Sequence, residues 1–240
     1  MKKCQILLLH GWGKYSSALD YYHKTVSEFQ KNGYTVFVPD MPGFGNEKIP
    51  DHPFTLQNYA FFLQTYIQKK KLQDFVIIGH SFGGRVAIKY INRYTEGVRA
   101  LILCGTPGFT PVSKLKLIIS LFLAKIGGFI FSLPIISSQK EKIRGGFYYL
   151  VGARDYYRAE GSMRQTFKNI VREELKDIMK KIHIPTLLLW GEDDIIVPVK
   201  IAQKMKETIR QSRLTIIPHG KHSVIIDNPK TFVKEVCSFI

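Results

Sequence analysis

A serine set between glycines at the end of an apolar run is the first feature of this sequence that could do chemistry. Ser81 lies in Gly79-His80-Ser81-Phe82-Gly83, directly after the apolar residues Phe75 to Ile78 and ahead of a helical pattern that runs to Arg93. Small residues on either side let a strand and a helix close on a sharp turn and hold the serine at a strained backbone angle, which lifts its hydroxyl above the sheet edge. A serine hydroxyl is a weak nucleophile at neutral pH. It therefore needs a base, an acid that orients the base, and amide donors for an oxyanion. Acids stand in Gly191-Glu192-Asp193-Asp194, and His219 and His222 share the turn Pro218-His219-Gly220-Lys221-His222. Either aspartate could instead cap a helix starting at Pro198. His23, His52 and His183 sit in polar or pre-strand contexts that suit ordinary surface or packing roles.

These groups can meet only if the elements before them form one sheet. Gln5 to Leu9 reads as a strand covered on both faces, ending at His10-Gly11-Trp12-Gly13. A helix opened by Ser16 or Ser17 and closed by Gly33 follows, then a strand at Thr35 to Val38 and the Pro- and Gly-rich loop Asp40 to Gly45. Thr55 can cap a helix reaching about Lys70. After the serine strand come strands at Val98 to Leu103, Thr186 to Trp190 and Leu214 to Ile217, with helices at Val199 to Ile209 and Pro229 to Phe239. Strands alternating with helices imply right-handed crossovers and a parallel sheet. With strand order 2-1-3-4-5-6 the reversal falls between the first and third strands. The backbone amides of Trp12 and Phe82 would then converge on one oxyanion, in the crevice where such sheets bind ligands.

One stretch does not fit a simple crossover. Residues 107–181 interrupt a core made of 1–106 and 182–240, and carry no strand signal. A broadly apolar helix is expected at Ser113 to Ile126 and a more ordinary charged helical region at Ser162 to Lys181, which together would make a helical cap over the active-site edge. The insertion holds 14 Lys and Arg against 6 Asp and Glu, about half the excess charge of the whole chain, whose formal charge is +16. The apolar run Leu117 to Ile136 approaches the length of a membrane span, but Lys125, Gly127-Gly128 and Pro134 interrupt it. The oily, basic cap is the candidate for peripheral membrane or lipid contact.

At 240 residues, 45% hydrophobic, the chain suits one α/β domain. Its lysines are scattered rather than gathered into a tail or nucleic-acid motif, so no nucleic acid partner is expected. Three widely spaced cysteines, Cys4, Cys104 and Cys237, imply free thiols in a reducing compartment and a cytoplasmic location. The apolar run at the start is too short for a signal peptide. No cofactor is indicated, and no metal, since His219-x-x-His222 finds no third ligand nearby in sequence.

The chain resembles the α/β-hydrolase superfamily over essentially its whole length. The matching motifs are His10-Gly11-Trp12-Gly13, Asp40-Met41-Pro42-Gly43-Phe44-Gly45, Gly79-His80-Ser81-Phe82-Gly83-Gly84, the acid turn with Pro198, and the histidine turn. The resemblance implies a catalytic Ser81, places the acid on Asp194 and the base on His222, and assigns the oxyanion amides to Trp12 and Phe82. Asn46 stands where many relatives have serine, Lys221 replaces a glycine, and the family's leading hairpin is absent. The implied activity is a serine hydrolase acting on a small-molecule acyl substrate. The elbow with Arg85 also resembles the menaquinone-pathway cyclohexadiene-carboxylate synthase, a lyase using the same triad, for which Arg154, Arg158 and Arg164 would hold an acidic substrate. Other readings are a ligand receptor on the same fold and a dinucleotide site at Gly11 to Ser16 with Asp40, in which Ser16 occupies the third glycine position.

Overall fold

The computed structural model describes residues 3–13, 15–109, 159 and 161–240. Their strands form one parallel sheet: β1 (Gln5–Leu9), β2 (Thr35–Phe37), β3 (Phe75–His80), β4 (Val98–Cys104), β5 (Thr186–Gly191) and β6 (Ser212–Ile217). The order is β2-β1-β3-β4-β5-β6, and every neighbouring pair is parallel. The reversal between β1 and β3 is the one expected from the sequence. β1, β3 and β5 are covered on both faces, which explains why they read as unbroken apolar runs rather than alternating ones.

Helices cover the two faces. The first helical stretch is divided at Tyr22 into α1 (Ala18–Tyr21), capped by the Ser17 side chain, and α2 (His23–Lys31). α3 (Leu56–Lys70) starts in a capping box between Thr55 and Asn58. α4 (Phe82–Ile91) carries the serine at its N-cap. Beyond β4 the described residues contain α5 (Ser162–Arg172), α6 (Lys176–Met179), α7 (Val199–Thr208), α8 (Val224–Asp227) and α9 (Pro229–Phe239). α4 packs between the sheet and α3 in one core layer with Leu7, Leu9, Ile77, Leu103 and Trp190. α2 and α9 cover the other face over Ile6, Leu8, Val76, Ile78 and Leu189.

Two expectations are adjusted. The expected helical region Ser162 to Lys181 is two helices separated by Glu173 to Leu175, where Glu173 takes an extended backbone. The short α8 directly after His222 gave no sequence signal, because four residues cannot show a period. The helix expected at Ser113 to Ile126, the run Leu117 to Ile136, and Arg154 and Arg158 lie outside the described residues. Among the described residues no helix is long and apolar enough to cross a membrane.

Candidate active site

The serine turn is fixed by close approach. Ser81 has φ 51° and ψ −112°, a conformation non-glycine residues rarely hold, and its amide donates to Cys104 O at 2.8 Å. A side chain on Gly83 would strike the carbonyls of Leu9 and His10, so only glycine lets α4 start directly against the end of β1. The amide of Phe82 is one of the first four of its helix and has no partner within it. The His10 to Gly13 loop arrives on the other side: a Cβ built on Gly11 would lie 3.5 Å from Ser81 Cβ, and the rings of Trp12 and Phe82 meet edge-on at 5.4 Å. The two residues expected to supply oxyanion amides are therefore brought together beside the serine.

The acid and histidine turns converge from β5 and β6. His222 Nδ1 lies 2.8 Å from Asp194 Oδ2, with the carboxylate wholly buried and the imidazole 14% exposed. Asp194 Oδ1 accepts from the amides of Ile196 at 2.9 Å and Val197 at 2.8 Å. Its two oxygens thus serve both the histidine and the turn that leads into α7. Gly191 is required here, since a side chain would strike the backbone of Gly220 and Lys221 in the histidine turn. Asp193 is exposed and joins that turn only through its amide, 2.8 Å from Gly220 O. His219 is exposed too, with its amide 3.1 Å from Glu192 Oε2. A Cβ on Gly105 would lie 3.0 Å from His222 Nδ1 and Cε1, so the imidazole rests on the residue following Cys104, the carbonyl that holds Ser81. With Asp194 on Nδ1, the Nε2 edge is turned away from the acid.

The parts played by several neighbours escaped the sequence reading. His10 is fully buried; its Nε2 accepts from the Met41 amide at 3.0 Å and its Nδ1 lies 2.8 Å from Gly11 O, with Tyr15 Oη also against that nitrogen. Burial lowers its pKa to about 4, so the ring is neutral. Asp40 turns inward: Oδ1 accepts from Ala18 N at 2.6 Å and Oδ2 from Asn46 N and Nδ2 at 3.0 and 3.1 Å. Asn46 thereby closes its loop, and Asp40 is occupied in a way that leaves little for a ribose.

Arg85, buried on the inner face of α4, donates to the carbonyls of Pro107, Ile170 (2.9 Å) and Glu173. Its Nε is buried without a partner, and burial pulls its pKa down to about 10 against the raising influence of Glu173 and Glu174. It binds main chain at both ends of the inserted segment. The aromatic wall above the serine is made by Trp12, Phe44, Phe82 and, from α5, Phe167, with Trp12 meeting Phe44 at 4.8 Å and Phe167 at 5.0 Å. Among the described residues no group of three or more His, Cys, Asp or Glu could hold a metal ion.

A parallel sheet in this order, with a serine elbow at its reversal and a buried aspartate on a histidine after its last two strands, defines the class as an α/β-hydrolase. The profile of the family described as serine aminopeptidase, S33 (Hydrolase_4) matches residues 2–229, and the chain belongs to that family, whose members and relatives are hydrolases. It is 26% identical over 246 residues to 2-hydroxy-6-oxo-6-(2'-aminophenyl)hexa-2,4-dienoic acid hydrolase of Metapseudomonas resinovorans, covering 98% of this chain and 83% of that protein. It is also 26% identical over 258 residues to monoacylglycerol lipase ABHD6 of Mus musculus, covering 99% and 76%. In structure it is similar to an esterase from Exiguobacterium antarcticum, with a TM-score of 0.75 and 22% identity over 99% of this chain and 92% of that one. At that identity the likeness speaks for the fold.

Proposed function

We propose that this chain is a serine hydrolase that cleaves carboxylic esters or related acyl compounds through an acyl-enzyme on Ser81. The observation that carries the reading is the 2.8 Å contact of His222 Nδ1 with the buried Asp194, set beside the strained Ser81 turn. His222 Nε2 takes the proton of Ser81 as its oxygen attacks the carbonyl. The amides of Trp12 and Phe82 stabilise the oxyanion. The leaving group departs with that proton, and a water activated by the same imidazole releases the acid and restores Ser81. Asp194 holds the Nδ1–H throughout, orienting the neutral ring and stabilising the imidazolium that forms when Nε2 takes the proton.

In this reading the inserted segment would roof the site: Arg85 ties its described residues Pro107, Ile170 and Glu173 to the core, and the aromatic wall would be the near side of an acyl pocket. The relatives named as a dienoic acid hydrolase and a lipase extend the candidate substrates from simple esters to glycerides and activated carbon–carbon bonds. A fluorophosphonate probe should label wild-type protein at Ser81 and leave Ser81→Ala unlabelled, and a panel of esters, amides, thioesters and vinylogous diketo acids should show turnover in at least one class. Labelling without turnover on any of them would favour a receptor, and absence of labelling would sink the hydrolase reading.

A further inference from the structure

We propose that Tyr22 and His80 form a buried hydrogen-bonded strut that positions the oxyanion loop and the histidine turn relative to Ser81. The proposal rests on the hydrolase reading, but it concerns residues to which that reading gives no role. Gly11 N lies 3.0 Å from Tyr22 Oη, Tyr22 Oη lies 2.6 Å from His80 Nδ1, and His80 Nε2 lies 3.3 Å from the carbonyl oxygen of His222. The chain thus starts one residue before Trp12, passes through the residue before Ser81, and ends on the backbone of the base. Tyr22 and His80 are both buried, so water does not compete for these bonds.

The two ends fix the direction of every proton. An amide can only donate and a carbonyl can only accept, so Tyr22 accepts from Gly11 and donates to His80 Nδ1, and His80 donates from Nε2 to His222. One tautomer of a neutral His80 satisfies the whole series. Burial, helped by the neighbouring His222, pulls its pKa down to about 3, so the neutral ring persists at any working pH. Phenylalanine at 22 or an aliphatic residue at 80 would fill the same space. Neither would join the three turns by hydrogen bonds. Tyr22 itself sits between α1 and α2, so the division of the first helical stretch falls on the residue that reaches inward.

The test compares Tyr22→Phe, His80→Gln and His80→Leu with wild type on a turned-over ester, together with fluorophosphonate labelling rates and thermal unfolding. A glutamine amide can accept at one end and donate at the other; leucine can do neither. Tyr22→Phe should lower kcat and the labelling rate about tenfold or more with KM within twofold, because a small displacement of oxyanion donors costs rate rather than binding. His80→Gln should retain more activity than His80→Leu. Nitrogen-15 spectra of the wild-type imidazoles should show His80 as the Nε2–H tautomer, a readout that needs no variant to fold. Unchanged kcat in folded Tyr22→Phe, or an Nδ1 proton on His80, would overturn the strut while leaving the hydrolase reading intact. A wild type that the probe does not label would instead overturn the hydrolase reading, and the strut's catalytic role with it.

Discussion

The turns that carry the serine, acid and histidine, the floor of the site, differ from the described part of the inserted segment, the proposed roof, in how closely their backbones meet. On the floor, Ser81, Trp12, Asp194 and His222 sit on turns that follow β3, β1, β5 and β6, and those turns are pressed together so closely that Gly83 and Gly191 admit no side chain. On the side of the proposed roof, α5, α6 and the joint between them bury Met163, Ile170, Leu175 and Met179 in the core beside α4, and polar bonds to single carbonyls and amides add to that packing. Arg85 reaches Pro107, Ile170 and Glu173, Thr166 Oγ1 accepts from Phe54 N at 2.8 Å, and Asn169 Nδ2 donates to Phe54 O at 3.1 Å. Close backbone contact leaves a turn one position; apolar side chains and hydrogen bonds contributing about 1 kcal/mol net each hold α5 and α6 without forbidding a side chain at the contact.

The floor should give the largest effects. Ser81→Ala and His222→Ala should abolish ester turnover while unfolding at the wild-type temperature, because each removes a reacting group without opening the core. Asp194→Asn should lower kcat by about a thousandfold or more, as the imidazole loses its orienting carboxylate, and exposed Asp193→Asn should leave kcat unchanged. Steady-state rates on one ester check the set. If Asp193→Asn is the more damaging change, the acid is misassigned.

Acid should unfold the floor before the roof's polar ties matter. His10 and His80 have folded pKa values of about 4 and about 3 against an ordinary 6.5, both lowered chiefly by burial. The unfolded chain therefore takes up protons first as pH falls, so their contribution to stability is complete above about pH 6.5 and is lost progressively from there toward pH 3 to 4. The loss should be at most on the order of 3 kcal/mol for His10 and 5 kcal/mol for His80, since each pKa unit corresponds to about 1.4 kcal/mol. Denaturant titrations between pH 7 and 4 measure it, and His80→Gln should flatten the slope.

The same contrast explains what could be read from the sequence. Strand positions, sheet order and the two glycine-bounded turns were legible because buried parallel strands and close approach impose residue types: apolar runs at Gln5–Leu9 and Phe75–His80, glycine where no Cβ fits. The choice of Asp194 over Asp193 and His222 over His219 needed a family pattern, since both members of each pair stand at strand-end turns of identical composition. Tyr22 and Arg85 carried no usable signal for what they do. A tyrosine in an amphipathic helix reads as packing, and Arg85 entered only as part of the elbow motif, whereas its guanidinium is spent on main-chain carbonyls. Such bonds join residues far apart in sequence and leave no period.

Arg85 measures how much the roof depends on its ties. Arg85→Met keeps the packing volume but strips donors from the carbonyls of Pro107, Ile170 and Glu173. Relief of the buried charge offsets part of this, because burying the guanidinium, which lowers its pKa to about 10, costs desolvation. A net loss of about 2 kcal/mol is expected, or roughly 4 to 8 °C in Tm for a chain of this size. Arg85→Lys should not rescue it, since one ammonium on a flexible stem cannot fork to carbonyls at both ends of the insertion. Calorimetry gives the shift, and an Arg85→Met protein as stable as wild type would show that packing alone seats the roof.

The smallest effects should come from the acyl pocket itself. If the inserted segment lies over the aromatic wall of Trp12, Phe44, Phe82 and Phe167, each methylene added to an acyl chain buries apolar surface until the roof is reached. At about 0.8 kcal/mol per methylene, kcat/KM should rise about fourfold per carbon over acyl chains of roughly four to eight carbons and then level or fall. Nitrophenyl esters of increasing length provide the series. The excess of basic residues in 107–181 adds a weaker preference, for esters carrying a remote carboxylate. Charges on a solvated surface interact over a Debye length of about 10 Å at 0.1 M salt and 3 Å at 1 M, so that preference should fade as salt is raised while the chain-length trend does not. A flat chain-length profile would remove the apolar roof, and a carboxylate preference that survives 1 M salt would place a cation in direct contact with the substrate rather than on the rim.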